Sequence, residues 1–358
     1  MSFIREVTPD FPLHCLLDAS GRLTAALPDF LADQALWLEA YTHLWRTRLF
    51  DRRAVALQRT GQLGTYASCL GQEAISAAIG FRMHPDDILV PYYRDQAAQL
   101  RRGVHMQSIL RFWGGDEWGA HDGPPHDLSW CIPIATQITH AAGVATALKL
   151  RHLPQAVLTT CGDGASSRGD FYEALNLAGV WHLPLVLVIN NNQWAISVPL
   201  SQQTAAATLA QKAVAFGIPG VRVDGNDFFA MAAVLEEALQ RARTGKGPTL
   251  VEAVTYRLCD HTTADDMSRY ADPAARDAAA ALEPLLRFRR LLEHECGWDE
   301  SSQQAMEAEL NREIAAEVDS YLALPPSRPE DMFDYLYAAM PEDLSRQKSD
   351  WLARRAAS

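Results

Sequence analysis

The 358-residue chain has no long apolar run. Its most apolar stretch, Leu183 to Ile189, falls far short of the ~20 residues that span a bilayer, so no membrane partner is expected. The opening Met1-Ser2-Phe3-Ile4-Arg5-Glu6 lacks an apolar signal-peptide core, and a cytoplasmic protein is expected. The six cysteines, at 15, 69, 131, 161, 259 and 296, form neither a C-x-x-C pair nor a zinc spacing. Free thiols in a reducing compartment follow. Basic residues are outnumbered, 32 Lys+Arg against 44 Asp+Glu, and a net charge of −12 is a poor match to nucleic-acid phosphates. Neither G-x-G-x-x-G nor G-x-x-x-x-G-K-[ST] occurs, which removes the dinucleotide fingerprint and the P-loop. What is present suffices for a packed core: 48% hydrophobic against 21% charged residues excludes wholesale disorder. The length allows about two domains, or one large α/β domain with added elements.

Residues 1–30 read as an irregular N-terminal arm with a turn at Asp18-Ala19-Ser20-Gly21. Helices are predicted over 31–62 and 69–83, and a short strand over 87–90. The Gly-, Pro-, His- and Asp-rich stretch 114–130 reads as a functional or mobile loop. The centre alternates strand and helix: strand 156–160, helix 169–182, strand 184–189, helix 205–216, strand 221–223, helix 228–243 and strand 249–256. Strand-helix-strand order of this length forces parallel pairing, so the fold class is α/β, a mostly parallel sheet with helices on both faces. Residues 31–272 form this domain. Residues 273–358 read as a helical C-terminal extension packed on the domain or a partner, with Leu282, Leu285, Phe288, Leu291 and Leu292 as an apolar stripe over 273–322 and a final helix near 331–340.

Ligands of open parallel sheets bind beyond the carboxyl ends of the strands. Polar clusters fall at four such ends: Gly162-Asp163-Gly164, Asn190-Asn191-Asn192, Asp224-Gly225-Asn226-Asp227, and Asp260-His261 through Asp266. Gly, Asn and Asp also make ordinary turns; four coincidences point to a site. The glycines flanking Asp163 let backbone N–H groups approach an anion. Asp163 is a hard oxygen donor suited to Mg²⁺, and Asn192, 29 positions later, is a neutral one. Mg²⁺ prefers few protein carboxylates plus phosphate and water, which leaves room for a diphosphate.

Gly162-Asp163-Gly164 followed by Asn191-Asn192 resembles the thiamine-diphosphate signature. The likeness extends through Gly169-Asp170-Phe171-Tyr172-Glu173-Ala174, Trp194-Ala195-Ile196-Ser197-Val198-Pro199, Thr208 to Ala213, Ile218-Pro219-Gly220 and Val223-Asp224-Gly225. The chain is similar to the α subunit of the thiamine-dependent, decarboxylating first component of 2-oxo acid dehydrogenase complexes, above all the bacterial heterodimer-type pyruvate dehydrogenase. The likeness runs strongly from Arg48 to about Tyr270 and loosely through the ends.

The resemblance implies a thiamine-diphosphate-binding fold and the oxidative decarboxylation of pyruvate, with reductive acetylation of a lipoyl group on the acyltransferase component. A β subunit would complete an α₂β₂ heterotetramer, and the α chain alone would be inactive. It implies Mg²⁺ ligands at Asp163, Asn192 and the Trp194 carbonyl, where the family has Tyr or Phe. Tyr93 and Arg94 would meet the diphosphate, joined by the Gly162–Ala165 backbone with the N–H groups of Gly164 and Ala165. Ile134 would hold the cofactor bent, and His261 would serve as the active-site histidine that moves protons or steadies charge near acyl transfer. Taken alone, Tyr93-Arg94 reads as a surface pair, Ile134 as core and His261 as a satisfied loop histidine; the family pattern gives each a role. Asn190 replaces an arginine of some relatives, so one diphosphate contact is absent. Thr262 and Ala264 stand where eukaryotic relatives carry regulatory serines, so kinase control is not expected. Glu73 matches a family feature without an assigned step. Branched-chain 2-oxo acid and acetoin dehydrogenase α subunits are alternatives, and a non-catalytic scaffold stands outside this class.

Overall fold

The computed structural model describes residues 10–130, 132–334 and 336–356. Cys131, one of the cysteines expected to be a free thiol, and the first nine residues lie outside them. Strand β1 (Leu13–His14) precedes helices α1 (Gln34–Arg59) and α2 (Glu73–Arg82), strand β2 (Ile88–Val90), and helices α3 (Gln96–Arg101), α4 (Met106–Trp113) and α5 (Thr136–Leu150). Strand β3 (Val157–Gly162), helix α6 (Gly169–Val180) and strand β4 (Leu185–Asn191) form the expected strand-helix-strand unit. A hairpin of β5 (Trp194–Ala195) and β6 (Val198–Pro199) follows, then short helices α7 (Leu200–Gln203) and α8 (Lys212–Ala215). Strand β7 (Gly220–Asp224), helix α9 (Phe228–Arg243) and strand β8 (Thr249–Val254) complete the sheet. Helices α10 (Pro273–Ala280), α11 (Pro284–Glu295), α12 (Glu300–Leu322), α13 (Asp331–Asp334) and α14 (Glu342–Ala356) end the chain.

Among the described residues the main sheet has the order β1-β7-β8-β4-β3-β2, parallel throughout. The alternation of side chains in β4 explains why its run is apolar from end to end: Val186 and Val188 enter one core, Leu185, Leu187 and Ile189 the other. The first core packs α1, α2, α9 and α11 on one face, through Tyr41, Ile79, Phe229 and Phe288. The second packs α5 and α6 on the opposite face, through Ile138, Ala145, Phe171 and Leu175. No described helix is long and apolar enough to cross a membrane. The five described cysteines are free.

Several expectations change. The N-terminal arm is not wholly irregular: Leu13–His14 pairs with Arg222–Val223 as an edge strand. Asp227 fixes it, accepting from Leu16 N (2.6 Å) and Leu17 N (2.7 Å) while capping α9 through Phe229 N and Ala230 N. Two paired residues are too few to show a period. The helix expected from Cys69 starts at Glu73, because Gly71 adopts φ +84°. The helix expected over 205–216 shrinks to Lys212–Ala215. Thr204 and Thr208 hydroxyls accept from Ala206 N and Gln211 N, which offers the backbone an alternative to helix. The helix expected near 331–340 is four residues long, and the long terminal helix is α14. In that helix only Leu344, Trp351 and Leu352 make an apolar face, half-buried and interrupted by Lys348, so its period is weak. Leu282 is exposed, whereas the rest of its stripe is buried.

Candidate active site

Parallel pairing brings the carboxyl ends of β2, β3, β4 and β8 to one edge of the sheet. Gly162 and Asn190 are register partners on β3 and β4, and Asn191 pairs with Val254 of β8. A cleft over this edge holds about 460 Å³ of empty space, mouth included. Its walls contain Tyr93, Arg94, Ile134, Gly162, Asp163, Gly164, Ala165, Asn192 and Trp194. His261 stands behind Arg94. Residues scattered over 168 positions, from Tyr93 to His261, thus converge.

Asp163 opens a 3-10 turn after β3 and is 1% exposed. Burial pushes its carboxyl up to about 6, opposed by a hydrogen bond from Gln203 Nε2 at 3.1 Å. No lysine or arginine forms an ion pair with it among the described residues. A side chain at Gly162 would meet nothing within 4 Å, so this backbone faces open space, whereas a Cβ at Gly164 would lie 2.7 Å from that of Ala195. Asn192 Oδ1 accepts from Trp194 N at 3.2 Å, and its Nδ2 donates to Gln72 Oε1 at 3.0 Å.

Arg94 is 3% exposed and has no carboxylate partner among the described residues. Its Nη1 donates to Ser68 O, and its Nη2 to His261 O (2.5 Å) and His261 Nδ1 (3.1 Å). Asp51 fixes the Ser68 loop by accepting from Tyr66 Oη, Ser68 Oγ and Cys69 N. Asp95 accepts from Tyr92 N and Thr160 Oγ1, which ties the Tyr92-Tyr93-Arg94 turn to β3; burial pushes its carboxyl up to about 7. The Arg94 guanidinium lies 5.3 Å from the Tyr93 ring centre.

An arginine only donates, so Nδ1 of His261 must accept and its proton sits on Nε2. Burial and the guanidinium groups of Arg94 and Arg257 push His261 down to about 3. The histidine is therefore neutral with one fixed tautomer. Its backbone N–H donates to Asp265 Oδ2 at 2.7 Å.

The chain belongs to the dehydrogenase E1 component family. The family model matches residues 41–329. The chain is 39% identical over 324 residues to the 3-methyl-2-oxobutanoate dehydrogenase subunit alpha of Mycobacterium tuberculosis (strain CDC 1551 / Oshkosh), covering 89% of this chain and 87% of that one. It is 37% identical over 338 residues to the pyruvate dehydrogenase E1 component subunit alpha of Bacillus subtilis (strain 168), covering 93% and 90%. The protein of that same name from Staphylococcus aureus (strain Mu50 / ATCC 700699) is 37% identical over 349 residues, covering 96% and 94%. The E1 fold, α/β with a parallel sheet, is the one expected.

Ile134 departs from the core residue that an isolated isoleucine suggests: it is 44% exposed on the lip of the cleft. Ala135 at φ +72° turns the chain there into α5 and leaves Ile134 outside. Asn190, read as a missing contact, donates to Tyr92 Oη at 2.6 Å and leaves its buried Oδ1 without a partner. Glu73 is buried in an ion pair with Arg48. Sequence reasoning missed Arg257. This buried guanidinium donates to Ile196 O (2.7 Å), Tyr270 Oη (2.5 Å) and Cys259 O (3.0 Å), and lies 3.4 Å from His261 Nδ1. It braces the hairpin turn, where Ile196 adopts φ +55°, a costly conformation for a β-branched residue. The available signal was a cation just past an apolar strand, four residues before His261. Gln72 and Gln203 were missed as well: Gln72 adjoins Glu73 in the Gly71-Gln72-Glu73-Ala74 stretch that matches the family but was given no role, and Gln203 lies outside the matching segments.

Proposed function

We propose that this chain is the α half of a thiamine-diphosphate- and Mg²⁺-dependent 2-oxo acid dehydrogenase acting on pyruvate. One observation carries the reading: a single cleft edge holds a buried cation without a carboxylate, Arg94, and a buried carboxylate without a cation, Asp163. Unpaired buried charges are costly, and a metal diphosphate supplies the missing partner of each. The unpartnered buried atoms Asn190 Oδ1, Gln72 Nε2, Gln203 Oε1 and Trp194 Nε1 cluster around the same edge, and the open backbone at Gly162 leaves space for the group. These features fit the cofactor, whose thiazolium supplies the electron sink for decarboxylation.

Asp163, Asn192 and the Trp194 carbonyl would hold Mg²⁺. Arg94, Tyr93 and the N–H groups of Gly164 and Ala165 would hold the diphosphate, and Ile134 would bear on the cofactor body at the lip. His261 offers its Nε2–H to oxygen that gains charge during acyl transfer; Arg94 and Arg257 keep it from taking a second proton. Ile132 and Ile134 are exposed on the cleft wall and Ile196 beside it. This apolar rim supports coverage by a β subunit, in an α₂β₂ assembly that delivers the acyl group to a lipoyl-bearing acyltransferase component. The chain alone is then inactive.

Asp163→Ala should abolish Mg²⁺-dependent binding of thiamine diphosphate in a calorimetric titration; unchanged affinity would refute the metal assignment. Reconstitution with the β subunit, both cofactors and a lipoyl domain tests the substrate. Pyruvate should outpace 3-methyl-2-oxobutanoate and acetoin. The Mycobacterium tuberculosis relative, at 39% identity, favours the branched-chain acid as the second reading, and a faster rate with that substrate would select it. Pyruvate decarboxylation by the α chain alone would overturn the shared site.

A further inference from the structure

Two glutamines stand just outside the cleft, and each holds one of its oxygen-bearing side chains. Gln72 lies before α2, and its Oε1 accepts from Asn192 Nδ2 at 3.0 Å. Gln203 ends α7, and its Nε2 donates to Asp163 Oδ2 and Val198 O, both at 3.1 Å. Both amide orientations are forced. Trp194 N–H donates to Asn192 Oδ1, so the other end of the Asn192 amide is its NH₂, and the Gln72 atom facing it must be oxygen. Gln203 faces two acceptors, so it must present nitrogen. The remaining atoms, Gln72 Nε2 and Gln203 Oε1, are buried and unpartnered.

Buried amides ordinarily have both ends bonded, so these unpartnered ends call for an explanation. Here the satisfied end of each glutamine points at a different proposed cation ligand, from a different element of the chain. We infer that Gln72 and Gln203 are positioning residues of the cation site: Gln72 sets which way Asn192 presents its oxygen, and Gln203 sets the rotation of the Asp163 carboxylate. Mg²⁺ demands near-ideal octahedral geometry, so its affinity depends on such alignment. The inference rests on the reading of Asp163 and Asn192 as cation ligands.

The test uses the full chain co-purified with its β subunit and Mn²⁺ as probe, free Mn²⁺ being followed by its paramagnetic resonance signal in the presence of thiamine diphosphate. Gln72→Met and Gln203→Met keep the length of the side chain and remove its hydrogen bonds. Each should raise the Mn²⁺ dissociation constant about 10–100-fold. Saturating Mn²⁺ should then restore the wild-type tryptophan fluorescence change on cofactor binding. Excess cation repairs a misaligned ligand by mass action; it does not repair a damaged fold. Should a methionine variant lose its near-ultraviolet circular dichroism, the corresponding Gln→Asn variant, one methylene shorter, carries the same expectation. Wild-type Mn²⁺ affinity in the folded variants, with affinity lost in Asp163→Ala, overturns the inference and leaves the site reading intact. A loss that saturating Mn²⁺ fails to rescue also overturns it, in favour of a structural role. Wild-type affinity in Asp163→Ala overturns the site reading itself.

Discussion

Replacing Arg48 by methionine should lower the melting temperature by about 4–7 °C at pH 8 and by much less at pH 5. Arg48, on α1, lies between Glu73 at the start of α2 and Glu283 just before α11. Its Nη2 donates to Glu73 Oε2 at 3.0 Å and Glu283 Oε2 at 2.6 Å, and its Nε donates to Glu73 Oε1. All three side chains are buried. Methionine keeps the packing of the stem and leaves two buried carboxylates without their cation, and breaking such a pair costs about 3–5 kcal/mol. An unfolding entropy of ~2.1 cal/mol/K per residue over 358 residues gives ~0.75 kcal/mol/K, hence the stated change in melting temperature.

The pH dependence has a definite sign. Burial already holds Glu73 above its ordinary 4.5, and Arg48 opposes that rise. Without the arginine the folded carboxyl climbs further. A group with a folded pKa above its unfolded one contributes stability that is full below about 4.5 and is lost as pH rises towards the folded value, at ~1.4 kcal/mol for each pH unit that separates the two. The deficit against wild type must therefore shrink from pH 8 to pH 5. Calorimetry at pH 5, 6.5 and 8 reads it, and adding Glu73→Gln and Glu283→Gln should recover most of the loss. A pH-independent deficit, or one under about 2 °C at pH 8, would refute the reasoning. The ion pair bears on the site because Glu73 follows Gln72, which holds Asn192.

His261 should show no imidazole titration by nuclear magnetic resonance between pH 5 and 9, since its folded pKa lies at about 3. The unfolded chain takes up this proton near 6.5 and the folded chain does not, so its share of stability is lost as pH falls from about 6.5 towards 3; a titration near 6.5 would contradict the two-arginine geometry. Gly164→Ala places a Cβ 2.7 Å from Ala195 Cβ and must push back the hairpin that carries Trp194. It should weaken binding of the magnesium–thiamine diphosphate pair about 10–100-fold in a calorimetric titration, and wild-type affinity would show that the hairpin position is immaterial.

The elements read most accurately from sequence were those with a strong local signal. Helix α9 agrees to the residue, because its apolar period is continuous and Asp227 caps it. Strands β3, β4 and β8 were legible as apolar runs buried on both faces. The edge strand β1, the largely polar helix α14 and the broken segment 204–211 were not, because pairing, contacts with α13 and side-chain hydrogen bonds decide them. In the site, residues at strand ends were legible by motif. Gln72 and Gln203 act through partners 120 and 40 positions away, as the pairs with Asn192 and Asp163 show, and no local pattern encodes such distances. Arg257 is only four positions from His261, but its contacts with Ile196 and Tyr270 arise from the fold.

The amino-acid sequence by itself determined the parallel α/β class and the polar strand ends, since apolar period and Gly-Asp-Gly spacing are local properties of the chain. It also carried the family resemblance. Only the tertiary structure decided the charge state of the site. A carboxylate without a cation, a cation without a carboxylate and a histidine confined to one tautomer all arise from burial and from contacts between distant segments, and desolvation acts on a group only after the fold has closed around it.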